Sequence, residues 1–281
     1  MINPVLKKEI KVRARNWKNA GMITLYALVL VFAAVVVFKT AEFDFGYRGG
    51  FSPEVLQGLY ITCAIIQIFL IGLLVPATTA SAISGEKQRR TFDLLICNRA
   101  SNRTIILGKL MASLLQTFML LILALPILSC LFMFGGISVT NLFKLTIFFM
   151  VTSVLLGSIG LFCSTQFKST VPSIVVSYVI IFILSFGMLI LIAIGYELFD
   201  FNEFKNLHAV FLIFNPGTGL SAILSEQMGS SFNFINAITD LDWSANFTLV
   251  MNLFAELILS GFFIWAATKN INPFKNRGRI K

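Results

Sequence analysis

Apolar residues gather in six long blocks, at about residues 20–38, 56–82, 107–134, 142–166, 171–196 and 246–268. A bilayer's hydrocarbon core is about 30 Å thick and takes roughly 20 helical residues to cross. Each block therefore predicts a transmembrane helix. The second and third are longer than one crossing needs, so they tilt or project beyond the membrane. Three stretches stand outside this pattern: 3–18, 85–106 and 197–245. Together the blocks and stretches predict an all-α membrane protein forming one transmembrane domain over 1–281.

Residues 3–18 read NPVLKKEIKVRARNWK. Leu6, Ile10 and Trp17 recur at near-helical spacing with basic residues on the other faces. That pattern predicts an interfacial helix, its apolar side in the headgroup boundary and its basic side toward anionic lipid. The plainer reading is a basic flank that fixes topology.

Residues 85–96, GEKQRRTFDLLI, place Glu86, Arg89, Arg90 and Asp93 at i, i+3, i+4 and i+7, one face of a helix. Phe92 and Leu95 form a separate apolar patch. Each charge at the bilayer centre would cost about 2.5–3.5 kcal/mol on the insertion scale, so this connector is excluded from the hydrocarbon. Segregated charged and apolar faces predict a helix that docks on another protein.

Residues 197–245 carry AVFLIF, then NPGTG, then LSAIL. Neither apolar piece is long enough to cross the bilayer. Asn215, Pro216, Gly217 and Gly219 break any continuous helix. Two half-helices entering and leaving on one side fit this, provided protein shields the broken backbone. A small cap with its own core is the alternative.

Charge gives the orientation. Lys and Arg number 18 in the N-terminal arm, the 85–109 stretch, the 168 turn and the C-terminal tail, against 4 (Lys39, Arg48, Lys144, Lys205) on the opposite side. The positive-inside rule then predicts that both termini are cytoplasmic and that 197–245 is external. The net charge of +9 is accounted for by these loops and calls for no nucleic acid. Composition agrees: 57% of residues are hydrophobic, 12% are charged and Phe contributes 29, about half the charge of a soluble domain. High Phe, Ile, Lys and Asn content suits an AT-rich bacterial coding sequence and hence a bacterial plasma membrane.

Chemistry is sparse. Gly108-Lys109 is followed by Leu110, and position 103 is Arg, so the P-loop pattern fails. There is no HExxH, and GLSAI at 219–223 lacks the second glycine of GxSxG. His208 is the single histidine. Cys63, Cys97, Cys130 and Cys163 fall at different depths of the predicted bundle, which supports neither a disulfide framework nor a metal cluster. No catalytic, cofactor or metal residue is predicted. One polar stripe does stand out: Thr248, Asn252, Glu256 and Ser260 recur every four residues in the last block, with Glu256 near mid-membrane. An ionisable group there either lines a translocation path or holds helices together by hydrogen bonds. Gln67 and Gln116 are candidate partners for it.

GEKQRRTFDLL, followed by LGKLMASLL, resembles the connector of ABC-2-type transporter permeases, the membrane subunits of ATP-binding cassette exporters. Gly85, Glu86, Lys87, Thr91, Asp93, Leu94, Leu95, Gly108 and Lys109 fit the family's pattern. NPVLKKEIK and FNPGTGLSAIL are also similar to family segments. Arg90 departs from the pattern, standing where glycine is common. The resemblance implies a dimer of identical or homologous permeases and separate cytoplasmic ATPase subunits that bind ATP and magnesium. It implies export of an amphipathic cargo such as a peptide, lipid or drug. On that reading Glu86, Lys87, Arg89, Arg90, Thr91, Phe92, Asp93, Leu94 and Leu95 contact the ATPase. A non-transporting immunity or sensor subunit and an ion-coupled secondary transporter remain alternatives.

Overall fold

The computed structural model describes residues 17–45, 53–92, 102–133, 139–187, 189–192, 194, 209–228, 236 and 243–270. Among them, these α-helices carry the fold: α1 (Trp17–Phe45), α2 (Pro53–Gln88), α3 (Asn102–Met133), α4 (Val139–Gln166), α5 (Thr170–Phe182), α6 (Pro216–Met228) and α7 (Ala245–Asn270). A π-helical turn, Ile183–Gly187, extends α5. No strand occurs among the described residues. Five stretches are long and apolar enough to cross a membrane: Tyr60–Gln88, Asn102–Pro126, Val139–Gln166, Thr170–Ile192 and Ala245–Asn270. The first predicted span lies within α1, whose apolar part, Gly21–Val36, is shorter. The protein is an all-α, multi-pass membrane protein.

α2 has 36 residues and α3 has 32. At about 1.5 Å per residue they reach roughly 54 and 48 Å, well beyond a 30 Å core. The end of α2 and the start of α3 meet around Gly85, where Glu86 pairs with Lys109. α2 survives an internal proline, Pro76. Proline removes one helical hydrogen bond, and nearby carbonyls are answered from side chains. Thr79 Oγ1 donates to Val75 O at 2.9 Å, and Tyr178 OH donates to Leu73 O at 2.5 Å.

α4 is the axle of the bundle and packs on α2, α3, α5, α6 and α7. Small residues allow this. A Cβ on Gly160 would come within 2.1 Å of Thr79 Oγ1, so only glycine admits so close an approach of α4 to α2. The main core joins Tyr60, Phe148, Phe149, Leu156, Ile223 and Leu249 from four helices. α5 is the opposite case: Ser173 and Ser177 are its buried residues, and Val175, Val179 and Phe182, with Phe186 of the π turn, are exposed. An apolar helix left uncovered suits a lipid surrounding.

The interfacial-helix residues Leu6 and Ile10 lie outside the described residues. Trp17 opens α1 and is exposed.

Candidate functional site

Two polar assemblies interrupt the apolar bundle, one at the Gly85 end and one at the NPGTG break. At the Gly85 end, the docking helix expected over 85–96 does not form as one piece. Gly85–Gln88 are the last turn of α2. Arg90 then takes φ of 56°. The Arg90 N–H donates to Lys87 O at 3.1 Å and the Thr91 N–H to Glu86 O at 3.0 Å. This crossed pair is a Schellman closure, with Arg90 at the left-handed position that glycine normally fills. The helical face shared by Glu86, Arg89, Arg90 and Asp93 is correspondingly broken after Gln88.

Each residue of the turn has its own destination. Glu86 pairs with Lys109 of α3, Oε1 to Nζ 2.8 Å. Lys109 is 2% exposed and also donates to Ala82 O at 2.9 Å. Lys87 Nζ donates to Thr165 O on α4 and sits 5.5 Å from the Phe92 ring centroid. Gln88 Oε1 accepts from the backbone N–H and hydroxyl of Thr170 at 3.2 and 3.1 Å, reaching α5. Ser164 Oγ accepts from the N–H groups of Ile83 and Ser84, both at 2.8 Å. Phe92 turns inward, against a cluster that includes Ile83, Ile106, Leu110 and Leu114. It is half-buried there and roots the turn. Arg89, Arg90 and Thr91 are what the turn exposes. Asp93, Leu94 and Leu95 lie outside the described residues.

At the break, Asn215 caps α6. Its Oδ1 accepts from the Gly217 N–H at 2.8 Å, and its carbonyl accepts from the Thr218 N–H at 3.1 Å. Asn-Pro-Gly-Thr is thus a helix start, with Asn at the N-cap and Pro at the first helical position. Read only as a breaker, the motif loses this role, although the Asn-Pro order carries the start signal. Residues 209–213 form the short helical stretch before it. Carbonyls freed at the break are answered from side chains. Thr218 Oγ1 donates to Leu212 O at 2.8 Å, and Asn252 Nδ2 donates to Ile213 O at 2.7 Å and Asn215 O at 3.0 Å. Asn215 Nδ2 donates to Ser185 O, in the π turn of α5, at 2.7 Å. The far end of α6 is tied to α4 by Lys144–Glu226 at 2.5 Å and by Gln227 Nε2 to Asn141 O at 3.1 Å.

The α7 stripe is buried along its length: Thr248, Asn252, Glu256 and Ser260 are each at most 4% exposed. Glu256 meets Thr152 of α4, whose Oγ1 lies 3.0 and 3.2 Å from the two carboxyl oxygens. Ser260 Oγ turns back to Leu257 O. Gln67 and Gln116 are not the partners of Glu256. Gln67 is buried beside Tyr26 of α1, and Gln116 Nε2 approaches Met22 Sδ at 3.8 Å. The two glutamines face α1 because α2 and α3 turn that side to it.

A groove of about 690 Å³ lies between α2 and α5, with α4 as its floor and the start of α6 as one wall. Phe69, Leu73, Val179 and Phe186 line its sides, and Thr152 and Thr218 lie deeper. Its size is that of pockets that hold small ligands, roughly 300–1,000 Å³. Among the described residues no cluster of His, Cys, Asp and Glu suits a metal.

A family model described as an ABC-2 family transporter protein matches residues 3–264. The chain belongs to the ABC-2 transporter family. Membership makes it an ABC permease subunit, the membrane component rather than the ATPase, and implies an ABC ATPase as partner. Among curated proteins no match is found.

Proposed function

We propose that this permease exports an amphipathic cargo, driven by ATP hydrolysed on a separate ATPase subunit that docks at the Gly85 end. The observation that carries the reading is the turn itself. α2 runs past the membrane's thickness, reverses at Arg90 and presents Arg89, Arg90 and Thr91 on a base tied to α3, α4 and α5. A rigidly based, basic protrusion suits a rim contact to a partner, where charge sets register and association rate. On this reading that end is cytoplasmic, the NPGTG hairpin is external, and ATP and magnesium are bound by the partner. The groove between α2 and α5 opens sideways along apolar walls, which suits cargo with a hydrophobic body. Two permeases, identical or homologous, complete the assembly.

Orientation is tested with single cysteines in a cysteine-free background in intact cells. An impermeant maleimide is expected to label Val139 and Thr140 variants but not an Arg89 or Thr91 variant; labelling at Thr91 overturns the orientation. The coupling reading is tested by co-purification with a P-loop ATPase encoded beside the gene and by ATP-dependent export from vesicles. Arg89→Ala is expected to weaken capture of the ATPase a few-fold at low salt, and the difference from wild type is expected to shrink as salt screens the contact. Phe92→Ala is expected to loosen the turn and lower capture further. Transport under an ion gradient with no ATPase present would instead make this a secondary transporter.

A further inference from the structure

We propose that Lys109 is a positioning residue: its buried pair with Glu86 makes the end of α2 and the start of α3 a single moving part. The proposal rests on the coupling role given above to the Gly85 end.

Lys109 is seven residues into α3 and 2% exposed. A buried ammonium is costly unless paired and hydrogen-bonded. A cation near a helix N-terminus also gains nothing from that helix's own dipole. Its placement is therefore explained by what it holds. The ammonium grips α2 at two points one helical turn apart, the Ala82 carbonyl at 2.9 Å and the Glu86 carboxylate at 2.8 Å. A two-point grip fixes direction as well as distance.

The other polar ties of this end run to different helices. Lys87 reaches α4 through Thr165, Ser164 holds the α2 backbone from α4, and Gln88 reaches α5 through Thr170. The Glu86–Lys109 grip is a polar tie that reaches α3. It sits one residue behind the Lys87 carbonyl and at the Glu86 carbonyl that close the exposed turn. A push on Arg89–Thr91 thus reaches α3 through a charged, directional link, supported by Phe92 against the apolar cluster that includes α3 residues.

The test has one arm on the permease alone in lipid nanodiscs and one on its complex with the ATPase. In the first, Lys109→Met is expected to speed amide exchange over residues 83–92 about tenfold while residues 216–225 stay protected. The charge-swapped double variant, Glu86→Lys with Lys109→Glu, restores the ion pair but not the bond to Ala82 O, and is expected to recover part of that protection. Should Lys109→Met fail to insert, Glu86→Gln gives the same readout with the ammonium still on Ala82 O. Exchange over 83–92 equal to wild type in these single variants overturns the proposal.

In the second arm, spin labels at Gln88 and Met111, both exposed and neither assigned to the docking surface, report the distance between the end of α2 and α3. With Lys109 in place that distance is expected to stay fixed between nucleotide-free and ATP-trapped states, while the Gln88-to-Val139 distance changes. Lys109→Met is expected to retain the ATPase but to let the Gln88–Met111 distance vary between the states. A fixed distance in that variant overturns the positioning role. Failure of the wild-type protein to bind any neighbouring ATPase overturns the coupling reading instead, and the exchange arm still judges the pair by itself.

Discussion

The Gly85 turn and the NPGTG break both stop a helix inside a membrane protein, and they answer the freed backbone with different chemistry. At Gly85 charged ties, Glu86 to Lys109 and the Lys87 ammonium to a carbonyl, stand beside the neutral ones of Gln88 and Ser164. At the break they are neutral: Asn215, Thr218 and Asn252 serve the freed groups. The difference follows burial. Glu86 keeps partial exposure, with 24% of its side chain open, whereas Asn215 and Asn252 are at most 4% exposed. A charge is tolerable where water still reaches one partner; deeper in, an amide gives two donors and an acceptor without the cost of burying an ion. The turn is thereby accessible to a partner from outside the chain, and the break is sealed within it.

The seal is the tighter of the two, and Gly219→Ala attacks it most directly. A Cβ there would lie 2.1 Å from Asn252 Oδ1 and 2.5 Å from Phe148 Cε2. Asn252 must then swing away and release Ile213 O and Asn215 O. Overpacking and two lost buried hydrogen bonds together are expected to cost about 3–5 kcal/mol. The check is the thermal unfolding midpoint of the purified permease. A midpoint within a degree or two of wild type would mean that the break tolerates movement and that the contrast between the ends is not one of rigidity.

Glu256 tests whether a carboxyl at this depth is needed at all. Its carboxyl has the Thr152 hydroxyl as its partner. Glu256→Gln keeps a hydrogen-bonding group of the same size and is expected to cost under about 1 kcal/mol, whereas Glu256→Leu leaves Thr152 without its partner and is expected to cost about 1–2 kcal/mol. The same unfolding assay separates them. If Gln keeps full stability yet abolishes export, the carboxyl serves the cargo rather than the α4–α7 contact.

Much of this architecture was legible because bilayer physics is coarse. Twenty-residue apolar blocks and the period-four stripe of α7 are read from composition and spacing; five of the six blocks give helices long enough to cross, the first gives a shorter apolar helix, and the stripe is buried. The NPGTG break was legible for a similar reason, since Pro and Gly act locally. Partners across helices were not legible. Glu256 selects Thr152 rather than Gln67 or Gln116, because rotation of α2, α3 and α4 about their axes decides which polar groups meet. Helices that are apolar all round carry too little contrast between their faces to reveal that rotation. The fate of Phe92 was likewise hidden. Its spacing from charged neighbours suggested an outward patch, but the Schellman closure at Arg90 redirects the chain and turns the ring inward.

Arg90 offers the finest adjustment of the contrast. Its φ of 56° lies in the left-handed region, which costs a residue with a Cβ about 1–2 kcal/mol and glycine almost nothing. Part of that cost is offset in any sequence by the two closing hydrogen bonds, so Arg90→Gly is expected to stabilise the isolated permease by up to about 1 kcal/mol. A residue kept at such a position against its backbone preference needs another reason, and an exposed guanidinium beside Arg89 supplies one. The substitution should therefore separate two quantities that usually move together: the unfolding midpoint rises slightly, while capture of the ATPase falls and loses part of its salt dependence. A rise in stability with unchanged capture would show that Arg90 contributes nothing at the docking surface and would leave Arg89 and Thr91 to carry it.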